Sequence, residues 1–136
     1  MRPRSLALAA AAALIGVSAF AHHSFAAEYD VNQPITLKGT LTKMEWVNPH
    51  GWIHVDVKDQ SGNVQSWAIE IGSPASLLKR GLRKTDFPEG LEVTVTGYRA
   101  KNGTRTVNGT AVKLPDGRNL FTGSSAGDGG PGGGNQ

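Results

Sequence analysis

Five runs of the chain alternate apolar and polar residues, and this period of two is the pattern that most restricts the fold. The runs cover residues 35–41, 53–57, 64–71, 91–98 and 106–114. Successive side chains of a β-strand point to opposite faces, so each run predicts a strand with one buried face. The apolar phase changes between Leu41 and Met44, and we expect Gly39, or a bulge near Lys43, to bend the first strand there.

A short helix is expected between the third and fourth runs. Ser73 followed by Pro74 is typical of a helix start, with a capping serine and proline in the first helical position. Three strands, a helix and two more strands are the order of a small five-stranded OB-like barrel. The fold class is therefore all-β with one short helix, and an open β-roll of the same strands is the alternative.

The composition divides the chain into four parts. Arg2, Arg4 and the apolar stretch at 6–17 form a secretory signal peptide over residues 1–21, with cleavage expected after Ala21. Residues 22–34 show no period and are expected to be an extended lead-in. The OB-like domain is predicted over 35–121. Residues 122–136 are rich in glycine and predict a disordered tail.

This processing restricts the compartment and the partners. Cleavage leaves 115 of the 136 residues, which is enough for one domain, and predicts a periplasmic or secreted protein. The apolar stretch is shorter than the roughly 20 residues that a membrane helix needs, so no transmembrane segment is expected in the mature protein. The formal charge falls from +3 to +1 once Arg2 and Arg4 are removed, which disfavours a nucleic-acid partner. The chain has no cysteine, which excludes disulfides and thiol chemistry.

Candidate binding residues follow from the expected fold. OB folds bind ligands on the face of strands 2 and 3, between the strand 1–2 and strand 4–5 loops. Those loops are Asn48–Gly51 and Lys101–Thr106 here. The candidates lie in or beside the first loop and on the outward face of strand 2: Trp46, Asn48, His50, Trp52 and His54. We see no paired carboxylates and no Ser-His-Asp arrangement, so we expect a non-enzymatic module that binds a periplasmic protein or small ligand.

A copper-binding protein is the alternative. Cleavage after Ala21 would make His22 the first residue, so that its amine and imidazole could chelate one ion. Copper(II) favours nitrogen ligands, and His23 with either His50 or His54 could complete the set. Cleavage after Ala26 would instead remove both leading histidines. Without metal, His22 and His23 would be a mobile terminus, His50 a turn residue and His54 a half-exposed strand residue.

Four segments of the chain resemble one family of small exported bacterial proteins. They are HHSFAA at 22–27, WVNPHGW at 46–52, WAIEIGSP at 67–74 and VTVTGYRA at 93–100. The family is domain-of-unknown-function family 6152, and the resemblance covers roughly residues 22–123. It implies a single compact periplasmic domain, but it implies no substrate and no catalytic residue.

Overall fold

Six strands and two short helices make up the fold in a computed structural model, which describes residues 25–123. The strands are β1 (Tyr29–Glu45), β2 (Trp52–Lys58), β3 (Val64–Glu70), β4 (Glu92–Ala100), β5 (Thr106–Lys113) and β6 (Asn119–Phe121). The helices are α1 (Phe25–Glu28) and α2 (Pro74–Lys79), and a 3₁₀ turn covers Lys84–Asp86. Among these residues no helix is long and apolar enough to cross a membrane.

Five of the strands close into a ring. β1 pairs with β2 and β4, β2 pairs with β3, and β4 pairs with β5, all antiparallel. A parallel pairing of Ala68–Glu70 with Thr106–Asn108 then joins β3 to β5. The short β6 adds to β5 outside the ring. The all-β prediction is confirmed, and because β3 meets β5 the strands do not form the open roll.

β1 pairs with both β2 and β4 because it bends. Thr40 pairs with Glu92 on one side and with Asp56 on the other, so β1 changes its main partner at this residue. A Cβ on Gly39 would collide with the carbonyl oxygen of Asp56, so only glycine fits this close approach. The register then shifts between Leu41 and Lys43. Both features expected from the sequence, Gly39 at the bend and a bulge near Lys43, are present in β1.

The ring encloses one apolar core, and α2 contributes to it. Ser73 caps α2 by accepting a hydrogen bond from the backbone nitrogen of Ser76, as the Ser-Pro pair predicts. Leu77 on this helix is fully buried. The core side chains come from every ring strand and from the α2 region: Leu37, Leu41, Met44, Ile53, Val55, Trp67, Ile69, Ile71, Leu77, Leu82, Phe87, Val93, Val95, Val107, Val112 and Leu114.

Both ends of the domain differ from their predicted boundaries. Phe25–Glu28 is a helical turn rather than extended chain, and β1 begins at Tyr29 instead of Ile35. The predicted tail begins at residue 122, but Thr122 is fully buried. Its hydroxyl donates to the carbonyl of Gly109, and its own carbonyl accepts from the Gly72 nitrogen at 2.7 Å. The predicted signal peptide, His22, His23 and residues 124–136 lie outside the described residues.

Candidate functional site

A cavity of about 820 Å³ opens at one end of the ring. The β1–β2 loop lines it with Val47–His50, and Trp52 continues that wall on β2. Ala100, Lys101 and Asn102 line it from the end of β4 and the following turn, and Thr106 from the start of β5. The loops that frame it are therefore the two expected from an OB-like strand order.

The segment before β1 supplies a further wall, formed by Ala27, Glu28 and Tyr29. Aromatic contacts hold this segment against the sheet: the Phe25 ring stacks on that of Tyr29 and meets the Tyr98 ring of β4 edge-on, with 5.7 Å between the centroids of each pair. Lys101 also holds this segment, through two hydrogen bonds. Its ammonium donates to the carbonyl of Ala26 at 2.6 Å, and its backbone nitrogen donates to the carbonyl of Glu28 at 2.8 Å.

A buried polar group lies on the wall of the cavity. Glu70, the last residue of β3, has a side chain that is only 12% exposed. The hydroxyl of Tyr29 donates to its Oε2 at 2.8 Å. The Nδ1 of His50 lies 3.8 Å from its Oε1, beyond hydrogen-bond distance. This nitrogen is buried and has no hydrogen-bond partner within the described chain.

Tyr29 acts as a fixed donor in this group. Burial raises the pKa of its phenol, and the neighbouring Glu70 carboxylate raises it further. Both effects disfavour a negative charge on the phenol oxygen, because it would lie in a poorly solvated place beside another anion. Tyr29 therefore remains protonated at neutral pH and offers its proton to Glu70.

The structure places three of the five predicted binding residues in the cavity wall. Asn48, His50 and Trp52 line it. Trp46 instead packs against the main core. His54 lies farther along β2, where its Nε2 is 2.7 Å from Oε2 of Glu45. The hydrogen bond from Lys43 to Glu45, at 2.8 Å, and then that of His54 hold the pKa of the Glu45 carboxyl below its usual range.

The predicted metal ligands are not gathered in the described part of the chain. His50 faces Glu70, whereas His54 faces Glu45. Across residues 25–123 no group of three or more histidine, aspartate or glutamate side chains is close enough together to hold a metal ion. A site of this kind would need a ligand from outside that range, such as His22 or His23.

Among the cavity residues that sequence reasoning missed, Glu70 and Tyr29 form the hydrogen-bonded polar group. Side chains along β3 alternate between the two faces of the sheet, which puts Glu70 on the outer face. There it pairs directly with Trp52. The alternation of side chains along β3 and the pairing of β2 with β3 could together have predicted that Glu70 lies beside Trp52. Tyr29 lies in a segment without any period, and its contact with Glu70 spans 41 residues of sequence. No local pattern indicates that contact.

The fold and the cavity define a small all-β domain with a ligand-sized, partly polar chamber between two loops at one end of a strand ring. Residues 10–110 match a family of unknown function (DUF6152), and the chain belongs to that family, as its sequence motifs indicate. No curated protein and no solved structure matches the chain.

Proposed function

We propose that this protein is an exported, non-enzymatic binding module that holds a small ligand between the β1–β2 loop and the β4–β5 turn. The observation that carries the proposal is the cavity of about 820 Å³ with Glu70 and His50 in its wall. Its volume is in the range of small-molecule sites, which are concave and contain a few polar groups on mainly apolar walls. Trp52, Val47 and Pro49 provide apolar surface here.

Binding explains the polar group better than catalysis does. The Tyr29 proton is committed to Glu70 and its pKa is raised, so the phenol is unsuited to act as a general base. Within residues 25–123 the Nδ1 of His50 has no hydrogen bond to any hydroxyl, so no activated nucleophile is formed with it. The signal-like residues 1–21 support export.

Nuclear magnetic resonance titration tests this proposal. The probes are a set of small organic cations, anions and neutral compounds at millimolar concentration. We expect at least one of them to shift the Trp52 indole resonance and the side-chain amides of Asn48 and Asn102. Trp52→Ala should remove the shifts of the Asn48 and Asn102 side-chain amides while the fold is retained. Phe121→Ala is the matched control, because Phe121 is an exposed aromatic residue outside the cavity lining.

Two results would overturn the proposal. One is that no probe perturbs the cavity residues. The other is that the response persists unchanged in a folded Trp52→Ala variant. If Trp52→Ala does not fold, Asn48→Ala and Asn102→Ala provide the same comparison, because both side chains lie in loops that frame the cavity.

Copper binding is the second candidate, and the buried Nδ1 of His50 favours it. That nitrogen has no hydrogen-bond partner in the described chain, and His50 lines the same cavity as Ala27. Because α1 begins at Phe25, three peptide units of chain join His22 to the helix, a reach of at most about 11 Å. A mature N-terminus at His22 could thus bring its amine and imidazole to His50. His54 is the poorer partner because its Nε2 already contacts Glu45.

Intact-mass measurement of the exported protein, followed by copper(II) titration, tests this candidate. We expect His22 to be the first residue and the affinity to be submicromolar. His22→Ala and His50→Ala should each weaken binding, whereas the control His54→Ala should not. Cleavage after Ala26, or only millimolar affinity, would exclude the copper site.

A further inference from the structure

Each of the two loops that frame the cavity carries an asparagine with open hydrogen-bonding capacity. Asn48 lies in the β1–β2 loop, and its side-chain amide makes no hydrogen bond with residues 25–123. Asn102 lies in the turn after β4, where its Oδ1 accepts from the backbone nitrogen and the hydroxyl of Thr104. A backbone nitrogen can only donate, so this oxygen is fixed there and the Nδ2 of Asn102 is left without a partner in the same range. A ligand in the cavity can therefore bond to an amide from each loop.

Trp52 adds an aromatic surface to the cavity wall. Its neighbour Ile53 is buried in the core, so the alternation of β2 directs the Trp52 indole outward. The indole nitrogen of Trp52 makes no hydrogen bond with the described residues, and it is not buried as that of Trp67 is. An indole combines a broad apolar face with one donor at its edge. Trp52 can thus contact the apolar face of a ligand ring and donate to a polar group at the edge of that ring.

The two amides and the indole are neutral groups. Lys101 is the one lysine or arginine among the described lining residues, and its ammonium already donates to the Ala26 carbonyl at 2.6 Å. The Asn48 amide offers both donors and an acceptor, whereas Asn102 and Trp52 offer donors. A ligand that matches these groups carries uncharged groups that both accept and donate hydrogen bonds. Hydroxyl groups do both, so this wall fits a polyhydroxylated ligand.

Resting on the proposed function, we propose that the ligand is a neutral oligosaccharide, with one sugar ring on the Trp52 indole and its hydroxyls bonded to the Asn48 and Asn102 amides. A sugar ring carries hydroxyls around its edge and C–H groups on its faces. It therefore matches a wall that combines an indole face with amide groups. The volume of about 820 Å³ exceeds that of one sugar ring, so we expect several rings to fit.

The position of the cavity supports this ligand class. The strand 2–3 face of an OB fold, between the strand 1–2 and strand 4–5 loops, is a surface on which oligosaccharides and oligonucleotides bind. The cavity lies between the same two loops. A single-stranded nucleic acid needs a basic groove that follows its backbone. Lys101 alone does not provide such a groove among the described lining residues, so the oligosaccharide is favoured.

Nuclear magnetic resonance titration with matched probes tests the ligand class. The neutral probes are the trisaccharides cellotriose, maltotriose and N-acetylchitotriose. Trigalacturonate is a trisaccharide with a carboxylate on each ring, and tetraethylene glycol dimethyl ether has acceptor oxygens but no donor. Binding is followed at pH 7 through the Trp52 indole and the side-chain amides of Asn48 and Asn102. We expect at least one neutral trisaccharide to bind about fivefold or more tightly than either control compound. The reason is that the ether cannot donate, and three carboxylates would share one lysine.

Variants on each loop and on β2 then locate the contacts. Asn48→Ala removes the first amide, and Asn102→Asp removes the second amide nitrogen but keeps an oxygen that accepts from Thr104. Each should weaken binding of the preferred trisaccharide about threefold or more, and Trp52→Ala about tenfold or more. Asn119→Ala is the matched control and should leave the affinity unchanged, because Asn119 is exposed on β6 outside the cavity lining. A urea melt of each variant checks folding.

The outcomes separate this inference from the proposed function. If trigalacturonate or the ether binds at the cavity as tightly as every neutral trisaccharide, or if only compounds other than saccharides bind there, the saccharide assignment is wrong but the binding module stands. The same conclusion follows if folded Asn48→Ala and Asn102→Asp both keep the full affinity. If no saccharide and no compound in the wider probe set perturbs the cavity, the proposed function itself fails. The comparison of the probes on the unaltered chain needs no variant, so an unfolded variant does not prevent the decision.

Discussion

Tyr29, the first residue of β1, donates a hydrogen bond of 2.8 Å to Glu70, the last residue of β3. These strands are not neighbours, because β2 lies between them in the sheet. The bond therefore connects the start of the domain to the far side of the cavity wall. It also orients the Glu70 carboxylate in the wall of the cavity. One contact thus serves both the stability of the lead-in and the geometry of the site.

Removing this bond should destabilise the domain. In Tyr29→Phe the buried carboxylate loses a donor, and we expect the free energy of unfolding to fall by about 2 kcal/mol. Tyr98→Phe is the matched control, because Tyr98 contacts the same Phe25 ring but its hydroxyl makes no hydrogen bond with residues 25–123. Its cost should be below about 0.5 kcal/mol. Urea denaturation of both variants measures the difference, and equal costs would contradict the role of the Tyr29 bond.

Alkaline pH should weaken the fold through the same residue. The pKa of Tyr29 is raised in the folded state by burial and by Glu70, so the folded protein holds this proton more tightly than the unfolded chain does. The resulting stability is fully present below the unfolded tyrosine pKa of about 10 and is lost as the pH rises above it. Thermal melts between pH 8 and 11 should show this loss in the unaltered chain. They should show a smaller loss in Tyr29→Phe, and parallel curves would refute the assignment.

Much of the fold could be read from the sequence because its causes are local. The alternation of residues 35–41 and 53–57 indicates strands, and Ser73-Pro74 indicates a helix start, within a few residues. Asn48, His50 and Trp52 could be placed beside the cavity because the expected strand order identifies the loop at which they lie. The ring order itself is set by core packing between strands, which a run of alternating residues cannot specify.

The remaining features depend on contacts between distant residues. Tyr29 meets Glu70, and Phe25 packs against Tyr98, so a segment without any period becomes part of the cavity wall. His54 resembled a ligand-binding residue by strand parity, but Glu45 lies beside it and accepts its hydrogen bond. The position of a residue in the alternating pattern of a strand indicates which face its side chain occupies. It does not indicate what already lies on that face.

Thr122 should contribute to stability although it follows the last strand. Its hydroxyl is buried and donates to the Gly109 carbonyl at 3.0 Å. Thr122→Val removes a buried hydroxyl and its hydrogen bond, which should cost about 1–2 kcal/mol. Thr110→Val is the control, because its exposed hydroxyl bonds to the Thr96 carbonyl, which water can replace. Its cost should be at most about 0.5 kcal/mol. A Thr122→Val variant as stable as the Thr110→Val control would place residue 122 outside the cooperative domain.

Gly97 should tolerate no side chain, because the backbone of Asn108 on β5 lies directly against it. A Cβ on Gly97 would collide with the backbone carbonyl oxygen of Asn108, beside the register shift between Thr96 and Gly97. The backbone cannot yield without separating the strands, so Gly97→Ala should cost about 3 kcal/mol. Gly62→Ala is the control, since Gly62 has a positive φ of 83° but nothing within 4 Å of the added Cβ. Its cost should be about 1–2 kcal/mol from backbone strain alone. Urea melts rank the two, and a Gly97→Ala cost no larger than that of Gly62→Ala would mean that the strands can separate at this point of the ring.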